Sequence, residues 1–438
     1  MRRTSALPLA LLLSALSAPA ALAGAGGGSS GFGGGGGGGG FSGGGGGYGG
    51  GGGTTVGGPF SVVVVLLIVL AILVVTIVGA IGAWRYRRKR AARAERVRTA
   101  SAEAAEEDPV FAADAVTTAA ADLYLACQAA WDKRDRTALE GLVGGDLLVE
   151  WKRRLDDFDR KKWHNRVQVH GRPSVEYLGL VNRAGEAEDR VIVRICATQD
   201  DWVKLGGGGQ IMKEGQTDKT VSVEEWWTLA RRDGGWMVVS IESEAEGRHN
   251  LDGEIVAVPE ADDGRLRDES LIEVAQADAA PADVKTAEIA DLDFDGDARA
   301  AALDLSLADA RFAPDVLEIA VRRAVAGWSE AIDGEDEPLL AVATPEAAAQ
   351  LLHPKGDGTR LVVRGPRVQA LRITKLDAAA EPARMTVEID VSGRRYLEDR
   401  DTAAVLSGSK ESEARFTEKW TLTIDGPAEN PWRIAQAQ

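Results

Sequence analysis

Glu225-Trp226-Trp227-Thr228-Leu229 recurs as Glu418-Lys419-Trp420-Thr421-Leu422, each followed within a short hairpin distance by a further tryptophan, Trp236 and Trp432. In an extended chain alternate side chains share a face, so Val223, Glu225, Trp227 and Leu229 line one side of a strand, and Phe416, Glu418, Trp420 and Leu422 line the equivalent side of another. Upstream, Val191, Val193 and Ile195 alternate as Met385, Val387 and Ile389 do. Trp202 corresponds to Tyr396, and Pro173 and Val175 correspond to Pro366 and Val368. Each set is preceded by apolar residues at helical spacing that end on a tryptophan: Val116, Ala120, Leu123, Cys127 and Trp131 in the first, Leu317, Ala320, Ala324 and Trp328 in the second. Asp108-Pro109 suits the start of the first helix. Helices followed by long strands predict an α+β unit with helices on one face of an antiparallel sheet. The chain therefore reads as a tandem of two such units, 108–245 and 312–438, joined by an acidic linker at 246–311 that carries 18 acidic and 6 basic side chains.

Working outward to the N-terminus, Arg2 and Arg3, the apolar run from Leu7 to Leu16 and the small-residue pattern Ala21-Leu22-Ala23 make residues 1–23 a signal peptide. Residues 24–59 are Gly-rich, holding 25 of the chain's 52 glycines, and such a composition cannot bury enough surface to offset its ordering entropy, which predicts a disordered segment. Phe60 to Trp84 is 25 residues without a charge, more than the ~20 needed to cross a bilayer, which predicts a transmembrane helix at 60–84. The segment 85–107 then opens with Arg85, Arg87, Arg88, Lys89, Arg90, Arg93, Arg96 and Arg98 against Glu95 alone. The positive-inside rule places this flank and everything after it in the cytoplasm. Arg85, Arg87, Arg88, Lys89 and Arg90 are also candidates for contact with anionic lipid headgroups.

A net charge of −16, from 51 basic and 67 acidic residues, argues against a nucleic-acid binder, because neutralising phosphates requires a basic face. Two cysteines make no disulfide framework, and the four histidines fall at no metal-binding spacing. Asp291, Asp293, Asp295 and Gly296 imitate the first half of a calcium loop, but Ala302 stands where the closing bidentate acid belongs. Neither a metal nor a cofactor is expected.

The basic-flanked anchor, the opening helix ending in Trp131-Asp132, the strand Val191 to Thr198, and Glu225, Trp227, Thr228, Leu229 and Trp236 together resemble the C-terminal domain of mitochondrial inner-membrane import translocase subunit 44. Bacterial membrane proteins with this domain join a signal, a Gly-rich stretch and a membrane helix to it. The second unit resembles a more divergent copy. The resemblance implies two cone-like modules, similar to nuclear transport factor two, each a curved antiparallel sheet around helices with an apolar pocket. It also implies binding of membrane lipids or of membrane or translocating proteins, with no catalysis. No segment matches the family's chaperone-recruiting helical region.

A carboxylate amid apolar neighbours is the sharpest local feature. If buried, Glu225 and Glu418 require a partner or a shifted pKa. Glu225, Trp227 and Trp236, with Glu418, Trp420 and Trp432, are therefore the pocket candidates. An ion pair between Glu225 and Arg194 is the plain structural alternative for the first carboxylate. At the level of function the expectation is a membrane-anchored cytoplasmic binding module. The alternatives are a pocket enzyme using a single acid or base and a scaffold whose pockets are filled by Trp227 and Trp236.

Overall fold

The computed structural model describes residues 25–26, 59–213, 216–278, 298–331 and 336–437, with the side chains of 59–65, 261 and 263 left aside. The signal peptide, nearly all of the Gly-rich segment, and Asp291, Asp293, Asp295 and Gly296 of the imperfect calcium loop lie outside these residues.

Helix α1 runs unbroken over Pro59–Glu107. Along it Leu66, Ile72, Val75, Val78 and Trp84 are all exposed. An apolar surface of that extent is not stable in water, and among the described residues α1 is the one helix long and apolar enough to cross a membrane. Its last turns have another role. Val97, Ala100 and Ala104 are buried in the core of the first module, so that module begins ahead of residue 108.

After α1, a 3₁₀ turn at Pro109–Phe111 is capped by the Asp108 side chain, which accepts from the Val110 amide at 3.0 Å. Helices α2 (Ala113–Lys133), α3 (Arg136–Glu140) and α4 (Gly145–Arg160) follow. The first sheet holds β1 (Trp163–Val181), β2 (Arg190–Leu205), β3 (Gln210–Ile211), β4 (Thr220–Arg232) and β5 (Gly235–Ser243), antiparallel in the order β1-β2-β4-β5, with β3 paired to β2. The second sheet holds β6 (Thr359–Asp377), β7 (Arg384–Asp399), β8 (Val405–Gly408), β9 (Ala414–Thr423) and β10 (Arg433–Ala437), in the order β6-β7-β9-β10 with β8 on β7. The order is the same in both. So is a parallel bridge from the helical layer to the last strand, Val143 to Val238 and Ala343 to Ile434.

Each first strand is long enough to need a bend. In β1 the register slips between His170 and Ser174, around Gly171 at φ 75° and Pro173; in β6 it slips between Arg364 and Arg367, around Gly365 at φ 56° and Pro366. These bulges curve the sheets over the helices. Gly365 is further constrained, since a Cβ there would sit 2.4 Å from that of His249.

Aromatic pairs fill both cores. Tyr124 meets Trp227 with ring centroids 5.2 Å apart, Trp131 meets Trp151 at 5.5 Å, and in the second module Trp328 meets Trp420 at 5.8 Å. Between the sheets, much of the stretch expected as a linker is structure. Helix α5 (Asp263–Ala277) and a helix at Ala298–Ser306 bury Ala275, Ala302 and Leu305 with Phe312, Val316 and Trp328 in the second core. Their short apolar runs were too sparse to read as helices, yet a few alanines and leucines suffice where the surface they cover is already apolar.

The two modules meet along a seam of buried charge. Glu150 of α4 accepts from Arg360 Nη1 at 3.0 Å and from Arg400 Nε at 2.7 Å, all three side chains being buried. Tyr396 donates its hydroxyl to Glu246 at 2.7 Å, and Arg154 donates to Glu398 at 2.8 Å. Arg364 lies 3.7 Å from Glu242 and 3.9 Å from Glu246. Removing one member leaves the others as uncompensated buried charge. Glu150→Ala should therefore destabilise the chain by about 3–5 kcal/mol, measured by urea unfolding of the detergent-solubilised protein. A loss under about 1 kcal/mol, the value of an exposed pair, would contradict a buried seam.

Candidate functional site

A cavity of about 40 Å³ opens between the modules, lined from the first by Leu147, Glu150, Trp151, Arg154, Glu225 and Glu246 and from the second by Arg360, Val362, Arg364, Tyr396, Glu398 and Lys410. Four carboxylates face four cations. The lining is thus close to neutral and highly polar, unlike the apolar pocket that the family resemblance implies. Ala25 and Gly26 complete its wall.

Strand alternation places Glu225 here. It is paired across the ladder with Ile195 and is 4% exposed, and its neighbours on the same face, Val223, Trp227 and Leu229, are buried too. Arg194 sits opposite Trp226 and points to the other face, where it pairs with Glu224 and with Glu244, the latter at 2.8 Å. The Arg194 partnership expected for Glu225 is therefore replaced. Glu225 instead accepts a hydrogen bond from Trp227 Nε1 at 2.9 Å. Burial raises its pKa to about 7, with the Trp227 bond and the charge of Lys213 opposing that rise and Asp201 adding to it. Lys213 is itself buried and is lowered to about 8 by desolvation, against the pull of Asp201 and Glu225.

These groups belong to a polar thread through the first module. Trp131 Nε1 donates to Asn165 at 2.8 Å, Asn165 Nδ2 donates to Asp201 at 2.6 Å, and Tyr124 donates to Gln199 at 2.7 Å. Toward the second module the carboxylates shift the other way. Burial alone would raise Glu398, but Lys410, Arg154 and Arg364 hold it at about 2. Glu242 is likewise held at about 2, because His249 and Arg364 outweigh its burial and Asn250 donates to it. Unlike Glu150 and Glu398, Glu225 has no guanidinium at hydrogen-bond distance among the described residues.

The other candidates do not converge on this cleft. Glu418 is 6% exposed on its strand, but it pairs with Arg395 at 3.2 Å and is not among the cavity's lining residues; burial raises its pKa and Arg395 opposes the rise. Trp420 packs on Trp328 in the second core. Trp236 lies at the far end of the β4–β5 hairpin, opposite Arg231, with its ring 5.8 Å from Phe111. Trp432 sits edge-on to Phe312 at 5.3 Å and donates to the Arg311 carbonyl at 2.9 Å. Trp236 packs on the 3₁₀ turn Pro109–Phe111 and Trp432 on the corresponding turn Ala310–Phe312. They are core, and neither Glu225 nor Glu418 has one of them for a neighbour in the way the pocket reading expected. Glu150, Arg360, Arg364 and Glu398, which build the cleft, carry no local sequence signal, because each looks like an ordinary charged residue until its partner from the other module is known. Arg85, Arg87, Arg88, Lys89 and Arg90 lie on α1 just past its apolar stretch.

Each unit packs helices on one curved antiparallel sheet, and a helix long and apolar enough to cross a membrane precedes them, which makes the chain an α+β protein with a candidate membrane anchor. Residues 97–243 match the Tim44-like domain family. Among solved structures, the intermembrane space region of the chloroplast protein ARC6 matches 29% of this chain and 95% of its own length, at 11% identity and a TM-score of 0.22. An Ntf2-like protein involved in plasmid conjugation matches 63% of this chain and 78% of its own, at 9% identity and a TM-score of 0.19. No curated protein matches.

The raised pKa of Glu225 makes stability depend on pH in a stated direction. Between its ordinary value of 4.5 and about 7 the folded chain holds a proton that the unfolded chain has released. Stability from this group therefore falls as pH rises through that window, by on the order of 3 kcal/mol, and is level above it. Urea midpoints of Glu225→Gln should lack this component between pH 4.5 and 7 while sharing the wild-type loss in stronger acid. An unchanged profile would show that Glu225 ionises normally.

Proposed function

We propose that the chain is a single-span protein of the plasma or inner membrane whose cytoplasmic modules bind polypeptide partners at the inter-module cleft, in connection with the transport or assembly of membrane proteins. The observation that carries this reading is the cleft itself, built jointly by two modules directly behind a membrane-spanning helix. The Tim44-like match at 97–243 supports a membrane-associated, transport-related role. The eight basic residues from Arg85 to Arg98, opposed by Glu95 alone, support a cytoplasmic location for the modules. In this reading the same flank rests on anionic headgroups, at about 1 kcal/mol per residue near the surface. Lipid contact then belongs to α1 and its flank, and protein contact to the cleft. A net charge of −16 disfavours nucleic acid as a partner, since neutralising phosphates requires a basic face.

Size argues for binding over catalysis. Pockets for small-molecule substrates run to roughly 300–1,000 Å³, whereas this cavity of about 40 Å³ admits a few waters or a short piece of backbone. One observation favours the enzymatic alternative: a carboxylate with a pKa near 7 is tuned for proton transfer. On the binding reading the same tuning lets Glu225 donate or accept a hydrogen bond at neutral pH.

A fluorescent protein fused to the C-terminus should be bright and a periplasm-dependent phosphatase fused there inactive; the reverse pattern would overturn the orientation. With the chain in native membranes, a photo-crosslinker at Val362 inside the cleft should yield polypeptide adducts, and one at exposed Lys375 should not. Adducts to lipid alone from Val362 would contradict protein binding.

A further inference from the structure

The wall formed by Ala25 and Gly26 shows what the cleft accepts. Both are held through their backbone. The Ala25 amide donates to Gln128 Oε1 at 2.7 Å, and the Gly26 carbonyl accepts from the Arg154 guanidinium. Gly26 is in the left-handed region at φ 84° and lies on the Trp151 ring, so that a Cβ there would come within 2.2 Å of the indole nitrogen. An L side chain is excluded twice, by conformation and by space. More hydrogen-bonding capacity is waiting in the lining: Arg154 Nε and Arg360 Nε are buried donors with no acceptor among the described residues, and Arg360 is 5% exposed. Buried donors of that kind call for carbonyl oxygens. The balanced charge of the lining gives a phosphate no net attraction, and the remaining cavity of about 40 Å³ has no room for an acyl chain.

Ala25 and Gly26 precede α1 and the modules follow it, so in a chain whose α1 spans the bilayer the two lie on opposite sides of the membrane. The segment then stands in for a ligand that reaches the cleft from the modules' own side. The geometry points to a site for a small-residue peptide of another polypeptide, read by its backbone, with an obligatory glycine seated on Trp151 between Gln128 and Arg154. This deepens the proposed binding role and rests on the membrane-anchored reading.

The test uses the full chain in bilayer nanodiscs, titrated by fluorescence anisotropy with the labelled peptide Ala-Gly-Ala-Gly-Gly-Gly, which repeats residues 23–28. Saturable binding is expected, weakened on the order of tenfold or more when the fourth residue of the peptide is alanine, a change that leaves the protein untouched. Gln128→Met should weaken the glycine peptide by about tenfold with the melting temperature unchanged. Deleting residues 24–28 from the chain should change nothing, since insertion holds them across the membrane. Equal affinity for the glycine and alanine peptides, or no saturation, overturns the inference. Binding that emerges only after the deletion also overturns it, by making the chain's own segment the occupant. Polypeptide adducts at Val362 without glycine discrimination would sink this inference alone and leave the broader binding role standing.

Discussion

Buried charge has to be paired, and in this chain the pairing crosses between modules. Glu150 belongs to the first module by sequence, helix and core, yet the guanidinium groups that neutralise it, Arg360 and Arg400, come from the second. Glu246 finds its hydroxyl donor in Tyr396, and Glu398 finds Arg154. Taking a carboxylate from water into protein costs several kcal/mol when nothing meets it. Each module alone would therefore carry unmatched charge on the face that it presents to the other. The constraint turns two similar sheets into one body and leaves a polar cleft where they meet.

The same arithmetic separates the carboxylates by role. Glu242 and Glu398 have cations close by and stay ionised far below neutrality. Glu225, on the strand β4 that pairs with the β5 strand of Glu242, has an indole N–H and a buried lysine charge, and burial wins. In the cleft wall Glu225 can thus change its proton near pH 7 while Glu398 stays ionised. A cleft built this way holds its shape through fixed charge and adapts its hydrogen bonding at one point.

Much of the fold was legible because it is local. Period-two alternation put Glu225, Trp227 and Leu229 on one buried face, and helical spacing ending at Trp131 and Trp328 located the two aromatic cores. Pro173 and Pro366 stood out as corresponding positions of the repeat, and the structure puts the bend of each long strand beside them. The site was legible only in part. Alternation could place Glu225 inside but could not name its partner, since Arg194 is one residue out of phase with Ile195 and so faces the other way. Trp236 and Trp432 gave the same signal as pocket aromatics while sitting at the far end of their hairpins. The cleft itself is a product of how the modules dock, and no stretch of sequence encodes it locally. The helices at 263–277 and 298–306 were hidden for a related reason, their apolar faces being too thin to stand out without the second core beneath them.

The central claim is that the two modules are energetically one body joined by buried polar contacts. A double-mutant cycle on Tyr396→Phe and Glu246→Gln isolates one such contact, a 2.7 Å hydrogen bond between groups that are distant in sequence and buried in the seam. The account predicts a coupling of about 1.5–3 kcal/mol in urea unfolding, as for a buried hydrogen bond to a charged group. Additivity of the two substitutions within about 0.5 kcal/mol would contradict it, leaving two modules that fold side by side without a shared seam.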